Sequence, residues 1–483
     1  MLDKLQGLKS YDVFKFFNEM NQIPRGSKNE KAVSDWLVSF AKERNLEVVQ
    51  DNALNVVIRK PGTKGYENSP IVVIQGHMDM VCEKEESSNH DFLKDPIEFI
   101  VEGDTLRANG TTLGADDGIA VAMGLAILDS NDISHAPIEL LVTTEEEVGM
   151  GGAENLDISN VKGRTLINID SEDEGVLLVS CSGGVRAVMS VPVEREDNDK
   201  NCFKITVEGL QGGHSGMEID KERGNANKIM GRILYDIKKN MCFKIVSVNG
   251  GAKMNAIPRS CEAVVATCDD NADKLKEIIC KWQGILSAEL AAQDKDVKVS
   301  IAESSKEAKR FTKETTERVI NALVLIPDGV QSMSMAIKGL VESSTNIGIV
   351  KTTDEIVEFE SAIRSSVSTL KEDIVRRSEV VAQVCNGTLR LEADYPAWEY
   401  NPDSKLRDTC VEVFKGMYGK EPEISAIHAG LECGLFGGKF NGEMDMISMG
   451  PDTFDVHTPK EHISISSIDR VYDYLINVLA KLK

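Results

Sequence analysis

The sequence predicts an α/β protein: a mostly parallel sheet with helices on both faces, interrupted by an inserted α+β domain. Three observations lead there. Short apolar runs alternate with amphipathic stretches through the first third of the 483 residues, the pattern of a parallel sheet joined by helices. The same alternation returns from about Asp403 to the end. The middle third reads differently, with strands such as 202–209 in which Phe203, Ile205 and Val207 share one side.

The elements follow in order. Residues 11–21 and 30–44 carry apolar side chains at helical spacing. Residues 55–59 and 71–74 are short β-branched runs, bounded by Pro-Gly and Gly-His. Residues 118–128 read as a buried helix rich in Ala, Gly and Ile, and 138–143 and 165–169 as further apolar strands. In the middle third, 225–238 and 271–286 are helical and 202–209, 243–248 and 260–267 are strands. A faint repeat runs through this part at an offset of 95: Glu222-Arg223 with Glu317-Arg318, Leu275-Lys276-Glu277 with Leu370-Lys371-Glu372, and Val264 opposite Phe359. It predicts two copies of an α+β unit, ferredoxin-like in kind, over about 192–395. A helix at 468–482 closes the chain. The expected organisation is one domain, residues 1–191 and 396–483, split by an insertion at 192–395.

Composition narrows the function. A chain of 483 residues has room for about two to four domains. With 41% hydrophobic residues it is neither disordered nor collagen-like. Fifty-five basic against 78 acidic residues leave a charge of −23, which repels phosphate backbones and excludes nucleic acid as a partner. No run of 18 apolar residues exists to cross a membrane, and residues 1–25 lack the apolar centre of a secretory signal. Ten cysteines stand singly without a CxxC pair, so reduced thiols and a cytoplasmic location are expected.

Seven histidines are few enough to inspect singly. His77 ends an apolar strand in Ile71-Val-Val-Ile-Gln-Gly-His-Met-Asp-Met80, and open α/β sheets gather their sites at such strand ends. Asp79, two residues on, is placed to orient the imidazole. Gly110-Thr-Thr-Leu-Gly-Ala-Asp-Asp-Gly118 has no phosphate-loop spacing, and its paired Asp116 and Asp117 oppose a phosphate neighbour. Thr143-Thr-Glu-Glu-Glu-Val-Gly149 puts three carboxylates after another strand, where they repel one another unless cations are near. Asp170 closes a third strand, and His457 stands in Asp455-Val-His-Thr-Pro459. Carboxylates and imidazoles without thiolate suit zinc, manganese or cobalt, and two ions sharing a carboxylate use this number of ligands. His90, His135 and His462 have no motif around them and read as surface residues.

His77-Met-Asp79, Gly114-Ala-Asp116-Asp-Gly, Glu146-Glu147-Val-Gly, Asp170 and the late His457 together resemble the co-catalytic zinc aminopeptidase, carboxypeptidase and aminoacylase superfamily. Gly212-Gly-His-Ser-Gly216, Gly224-Asn-Ala-Asn-Lys228, Asn255-Ala-Ile-Pro-Arg-Ser260 and His428-Ala-Gly-Leu-Glu-Cys-Gly434 are similar to its aminoacyl-histidine dipeptidase branch, over nearly the whole chain.

The resemblance implies a role for each residue. Two divalent ions, zinc first with cobalt and manganese as alternatives, would be held by His77 and Asp170, by Glu147 and His457, and by Asp116 between them. Asp79 would orient His77, and Glu146 would be the general base. A non-proline cis peptide is expected at Asp116–Asp117. The insertion would be a lid, with His214 polarising the scissile carbonyl. Asn255 and Arg259 would meet the substrate carboxylate, Glu432 its amine, and His428 would line the pocket. The implied activity is hydrolysis of unblocked dipeptides, of the Xaa-His type and including β-alanyl-histidine. An aminoacylase, a tripeptidase or another amide hydrolase on the same scaffold is the alternative, and a non-catalytic metal-binding or interaction protein the second. Small dipeptides are the expected partners, with monomer and homodimer both open. A serine hydrolase is excluded, because Gly213-His-Ser-Gly216 is not a nucleophile elbow.

Overall fold

The computed structural model describes residues 2–267 and 271–483. They form two units: Met1–Ser180 with Trp398–Ala426 and Leu431–Lys483, and Cys181–Ala397 with Ile427–Gly430.

The first unit is built on an eight-stranded sheet. Its centre is parallel, with Ile138–Thr143, Val72–His77, Thr165–Asn168 and Asp445–Ser448 side by side. Val72–His77 and Ile138–Thr143 are buried along their whole length, so both faces need cover. Helix Ala115–Asp129 packs on Val72–His77 and also on helix Tyr11–Met20. Its glycines allow the approach: a Cβ on Gly124 would lie 2.3 Å from a Leu140 methyl. The flanks are antiparallel: Val56–Lys60 pairs with Ile138–Thr143, Glu47–Gln50 with Val56–Lys60, and Val176–Cys181 with Asp445–Ser448. The expected parallel arrangement therefore holds at the centre, where the carboxyl ends of three adjacent strands lead to Glu146, His77 and Asp170. Helix Ile465–Lys481 completes the core with Val471, Leu475 and Val478.

The second unit is a nine-stranded antiparallel sheet carrying four long helices. The strand order is Lys298–Ser304, Cys202–Glu208, Cys261–Thr267, Phe243–Gly250, Val341–Thr352, Ile356–Ser365, Gly183–Pro192 and Thr388–Tyr395, with Gly329–Met333 against Val341–Thr352. Two strand–helix–strand–strand–helix–strand units meet at Phe243–Gly250 and Val341–Thr352 and run outward in mirrored order. Val264 and Phe359 occupy equivalent strands, and Leu275 and Leu370 equivalent helices. The fixed offset fails elsewhere. Glu222-Arg223 precede the helix that begins at Ala226, whereas Glu317-Arg318 lie inside Lys313–Leu325. The second copy takes its first strand from Gly183–Pro192, ahead of the first copy, so one copy is inserted into the other. Position 192, where the sequence reading placed the boundary, is the last residue of that strand. Only Ser182 separates it from Val176–Cys181, and no linker composition marks the change of unit.

Two expectations about side chains change. His135 is fully buried, its Nδ1 2.7 Å from the Ala136 carbonyl, because Thr63 and Pro137 fold the loop over it. Of the cysteines, Cys242 is disulfide-bonded rather than a reduced thiol, and Cys268 lies outside the described residues. Among the described residues no helix is long and apolar enough to cross a membrane.

Candidate active site

His77 is the last residue of its strand and is buried. Its backbone N–H donates to Asp117 (3.2 Å), and Gly76 leaves the room: a Cβ there would lie 2.5 Å from Asp117 Oδ2. Its Nδ1 faces Asp79, 3.4 Å from Oδ1 and 3.2 Å from the carbonyl. Nε2 is thereby turned toward Asp116 Oδ1 at 3.1 Å and Asp170 Oδ1 at 3.6 Å. Asp79 also accepts from Ser27 Oγ (2.8 Å) and from the backbone N–H groups of Glu146 (3.0 Å) and Glu147 (3.3 Å). Against the cost of burial, His77 and these donors hold it below the usual carboxylate range.

Asp116 stands at the start of helix Ala115–Asp129, and its peptide bond to Asp117 is cis, as the resemblance implies. One oxygen faces His77; the other lies 3.0 Å from His457 Nε2. His457, half-exposed and with φ +61°, also lies 2.9 Å from Glu147 Oε2. Asp116 and Glu147 push this imidazole up to about 11, so the place strongly favours positive charge. Glu147 Oε1 is buried without a partner. Burial, with Asp170, Glu432 and Glu147 adding to it against the pull of His77, pushes Glu146 up to about 9. Burial likewise raises Asp170 to about 6.

The donor atoms gather in sets within 4.8 Å: His77 with Asp116 and Asp170, Asp116 with Glu147 and His457, and His77 with Glu146 and Glu147. The first two share Asp116. Hard oxygens, neutral-capable imidazoles and an orphaned carboxylate oxygen fit two divalent ions with Asp116 between them. Beside this set lies Glu432, fully buried at the start of helix Glu432–Lys439. Its Oε2 accepts from Gln75 Nε2 (2.6 Å) and Thr143 Oγ1 (2.8 Å), and Gln75 in turn accepts from Asn168 (2.7 Å). Glu432 Oε1 is without a partner, and burial raises the carboxyl to about 7.

The second unit holds its own cluster. His214 lies in the two-residue strand Gly213–His214, paired with Ala256–Ile257. Its Nδ1 accepts from the backbone N–H groups of Met217 (3.0 Å) and Gly216 (3.3 Å), which leaves the ring proton on Nε2. Burial and the Arg364 charge lower its pKa, so the ring is a neutral donor. His428 is buried, with Nε2 2.7 Å from Ser344 Oγ; burial and Arg364 bring it down to about 3. Asn255 and Arg259 are exposed, and Arg259 lies against Gly212. Sequence reasoning missed Arg364. Its Nη1 donates to Tyr395 Oη (3.0 Å), and its Nε is buried without a partner beside Gly216. A single arginine in an alternating strand carries no local motif, so only the fold reveals it.

Comparison with known proteins gives a consistent picture. The profile described as peptidase family M20/M25/M40 matches residues 73–481. A cytosol non-specific dipeptidase of Escherichia coli is 36% identical over 483 residues, covering 100% of this chain and 99% of the relative. The structure of an aminoacylhistidine dipeptidase from Vibrio alginolyticus superposes with a TM-score of 0.95 at 36% identity, covering 99% of this chain and 98% of that one. An aminopeptidase from Bacillus cereus shares the fold, with a TM-score of 0.57 at 14% identity over 98% of this chain and 99% of its own.

Proposed function

The chain belongs to the M20/M25/M40 peptidase family, and on that premise we propose that it is a two-metal dipeptidase hydrolysing unblocked dipeptides, those with C-terminal histidine included. Asp116 is the observation that carries this: its two oxygens serve two imidazoles, each with a further carboxylate beside it. His77 and Asp170 would hold one ion and Glu147 and His457 the other. Zinc suits these donors, and cobalt and manganese accept the same ligands. When bound, the ions acidify a water and polarise a carbonyl.

The chain's own residues do the rest. Asp79 fixes the His77 ring so that Nε2 faces the site. Glu146 takes the proton of the attacking water and returns it to the leaving amine. His214 offers Nε2–H to the developing oxyanion. Arg364, Arg259 and Asn255 receive the substrate carboxylate, the guanidinium fork matching its geometry. Glu432 presents its unpartnered Oε1 to the substrate amine. The printed name of the Escherichia coli relative supports a cytoplasmic location.

Hydrolysis of β-alanyl-histidine and leucyl-glycine after chelation, then after zinc or manganese add-back, tests the reading. Metal-restored cleavage of either supports it, and their ratio sets the breadth. Cleavage of N-acetyl amino acids alone would replace it with an aminoacylase.

A further inference from the structure

We propose that two buried charged side chains outside the ligand set, Arg25 and Glu461, are positioning residues that clamp the ligand-bearing segments together and thereby set metal affinity. The inference rests on the two-metal reading above. Three of the ligands come from segments far apart in the chain: His77 at a strand end, Asp116 in a turn, and His457 in a late loop. Arg25 is 2% exposed. Its Nη1 donates to the carbonyls of Met78 (3.0 Å) and Asp79 (3.2 Å), and its Nη2 to that of Gly114 (2.6 Å). The remaining donors meet Asn21 Oδ1, at 3.1 Å from Nε and 2.9 Å from Nη2. One guanidinium thus ties the segment after His77 to the turn before Asp116.

Glu461, also 2% exposed, ties that same turn to the loop of His457. Its Oε2 accepts from the N–H groups of Leu113 (2.8 Å) and Gly114 (3.1 Å), and its Oε1 from those of Ala115 (2.8 Å) and Asp116 (3.4 Å). The glycines around Asp116 are shaped to the clamp. A Cβ on Gly114 would lie 2.3 Å from Arg25 Nη2, and one on Gly118 2.7 Å from it. A buried guanidinium bonded only to neutral oxygens is costly unless opposite charge is near, and Glu461 is the foremost such charge around Arg25. All four N–H groups that Glu461 accepts from belong to Leu113–Asp116, the residues that lead into Asp116 and include it.

Glu139 supplies the control. It is as buried, and its carboxylate accepts from Lys162 N (2.8 Å), Gly163 N (2.9 Å) and Arg59 rather than from the segments that Arg25 and Glu461 join. Zinc uptake by Arg25→Lys, Glu461→Gln and Glu139→Gln is measured by competition with a chelating dye, beside apoprotein melting and dipeptide kinetics. Arg25→Lys and Glu461→Gln are expected to weaken zinc binding about 10- to 100-fold. Zinc-limited kcat should fall with KM changed little, while Glu139→Gln keeps wild-type zinc affinity. Wild-type zinc affinity in both clamp variants overturns the proposal, as does a loss no greater than in Glu139→Gln. So does an apoprotein that fails to fold in both clamp variants but folds in Glu139→Gln, which would assign the clamp to the fold. If the wild-type chain takes up no zinc, the two-metal reading itself fails.

Discussion

Glu146 and Glu147 are adjacent in sequence yet differ in surroundings. Glu147 reaches His457, whereas Glu146 is raised to about 9 by burial beside other carboxylates. Glu146→Ala should therefore abolish turnover while the protein still binds two zinc ions per chain, counted by elemental analysis; loss of zinc with activity would exchange the two roles. Arg364 makes the next prediction. Losing a charge-assisted carboxylate contact costs about 2–5 kcal/mol, so Arg364→Ala should raise the dipeptide KM by about two orders of magnitude. An unchanged KM would remove Arg364 from the substrate. His77, Glu147 and Asp170 were legible because each stands at or just after an apolar strand, and Asp116 and His457 through the short motifs around them that carry the resemblance. Arg364, Arg25 and Glu461 were not, since their partners lie far away in sequence and nothing local marks them. His135 was misread for the same reason: Thr63, far away in sequence, bonds to it and helps bury it.

At the scale of elements, most helices were legible from their apolar period, and strands such as Ile138–Thr143 from an unbroken apolar run. The repeat was legible only where its copies keep a constant spacing, and the nested first strand broke that spacing. One prediction belongs to the seam between the copies. Asp328 is half-buried there, with Oδ1 accepting from Asn225 Nδ2 (3.0 Å) and Ile347 N (2.9 Å), and its partial removal from water raises it to about 6. A carboxyl whose folded pKa lies above its unfolded value of 3.8 favours folding when protonated. That contribution is complete below pH 4 and is lost as pH rises through 6, by about 3 kcal/mol for two pKa units. Asp328→Asn keeps the Oδ1 acceptor and removes the titration. Its stability relative to wild type, from urea melts at pH 4 and pH 7.5, should rise with pH, and a flat difference would refute the assignment.

At the scale of the whole molecule, the two units should answer differently to metal. The proposed ligands all belong to the first unit. Calorimetry of zinc-loaded and chelated protein should show one transition fall on chelation, since an ion at 1,000 times its Kd stabilises by about 4 kcal/mol. A shift of every transition by the same amount would contradict it. The split of each unit along the chain also sets the order in which its pieces are made. Residues 202–304 carry every strand of one repeat in one continuous stretch. The strand Gly183–Pro192 emerges before them, yet its neighbours Ile356–Ser365 and Thr388–Tyr395 come much later. The catalytic sheet waits longer still, for Asp445–Ser448, and His457 follows that. The brackets therefore close from the inside out, and a chain halted before His457 lacks one of the proposed ligands, with one strand of the first unit's sheet as its newest part.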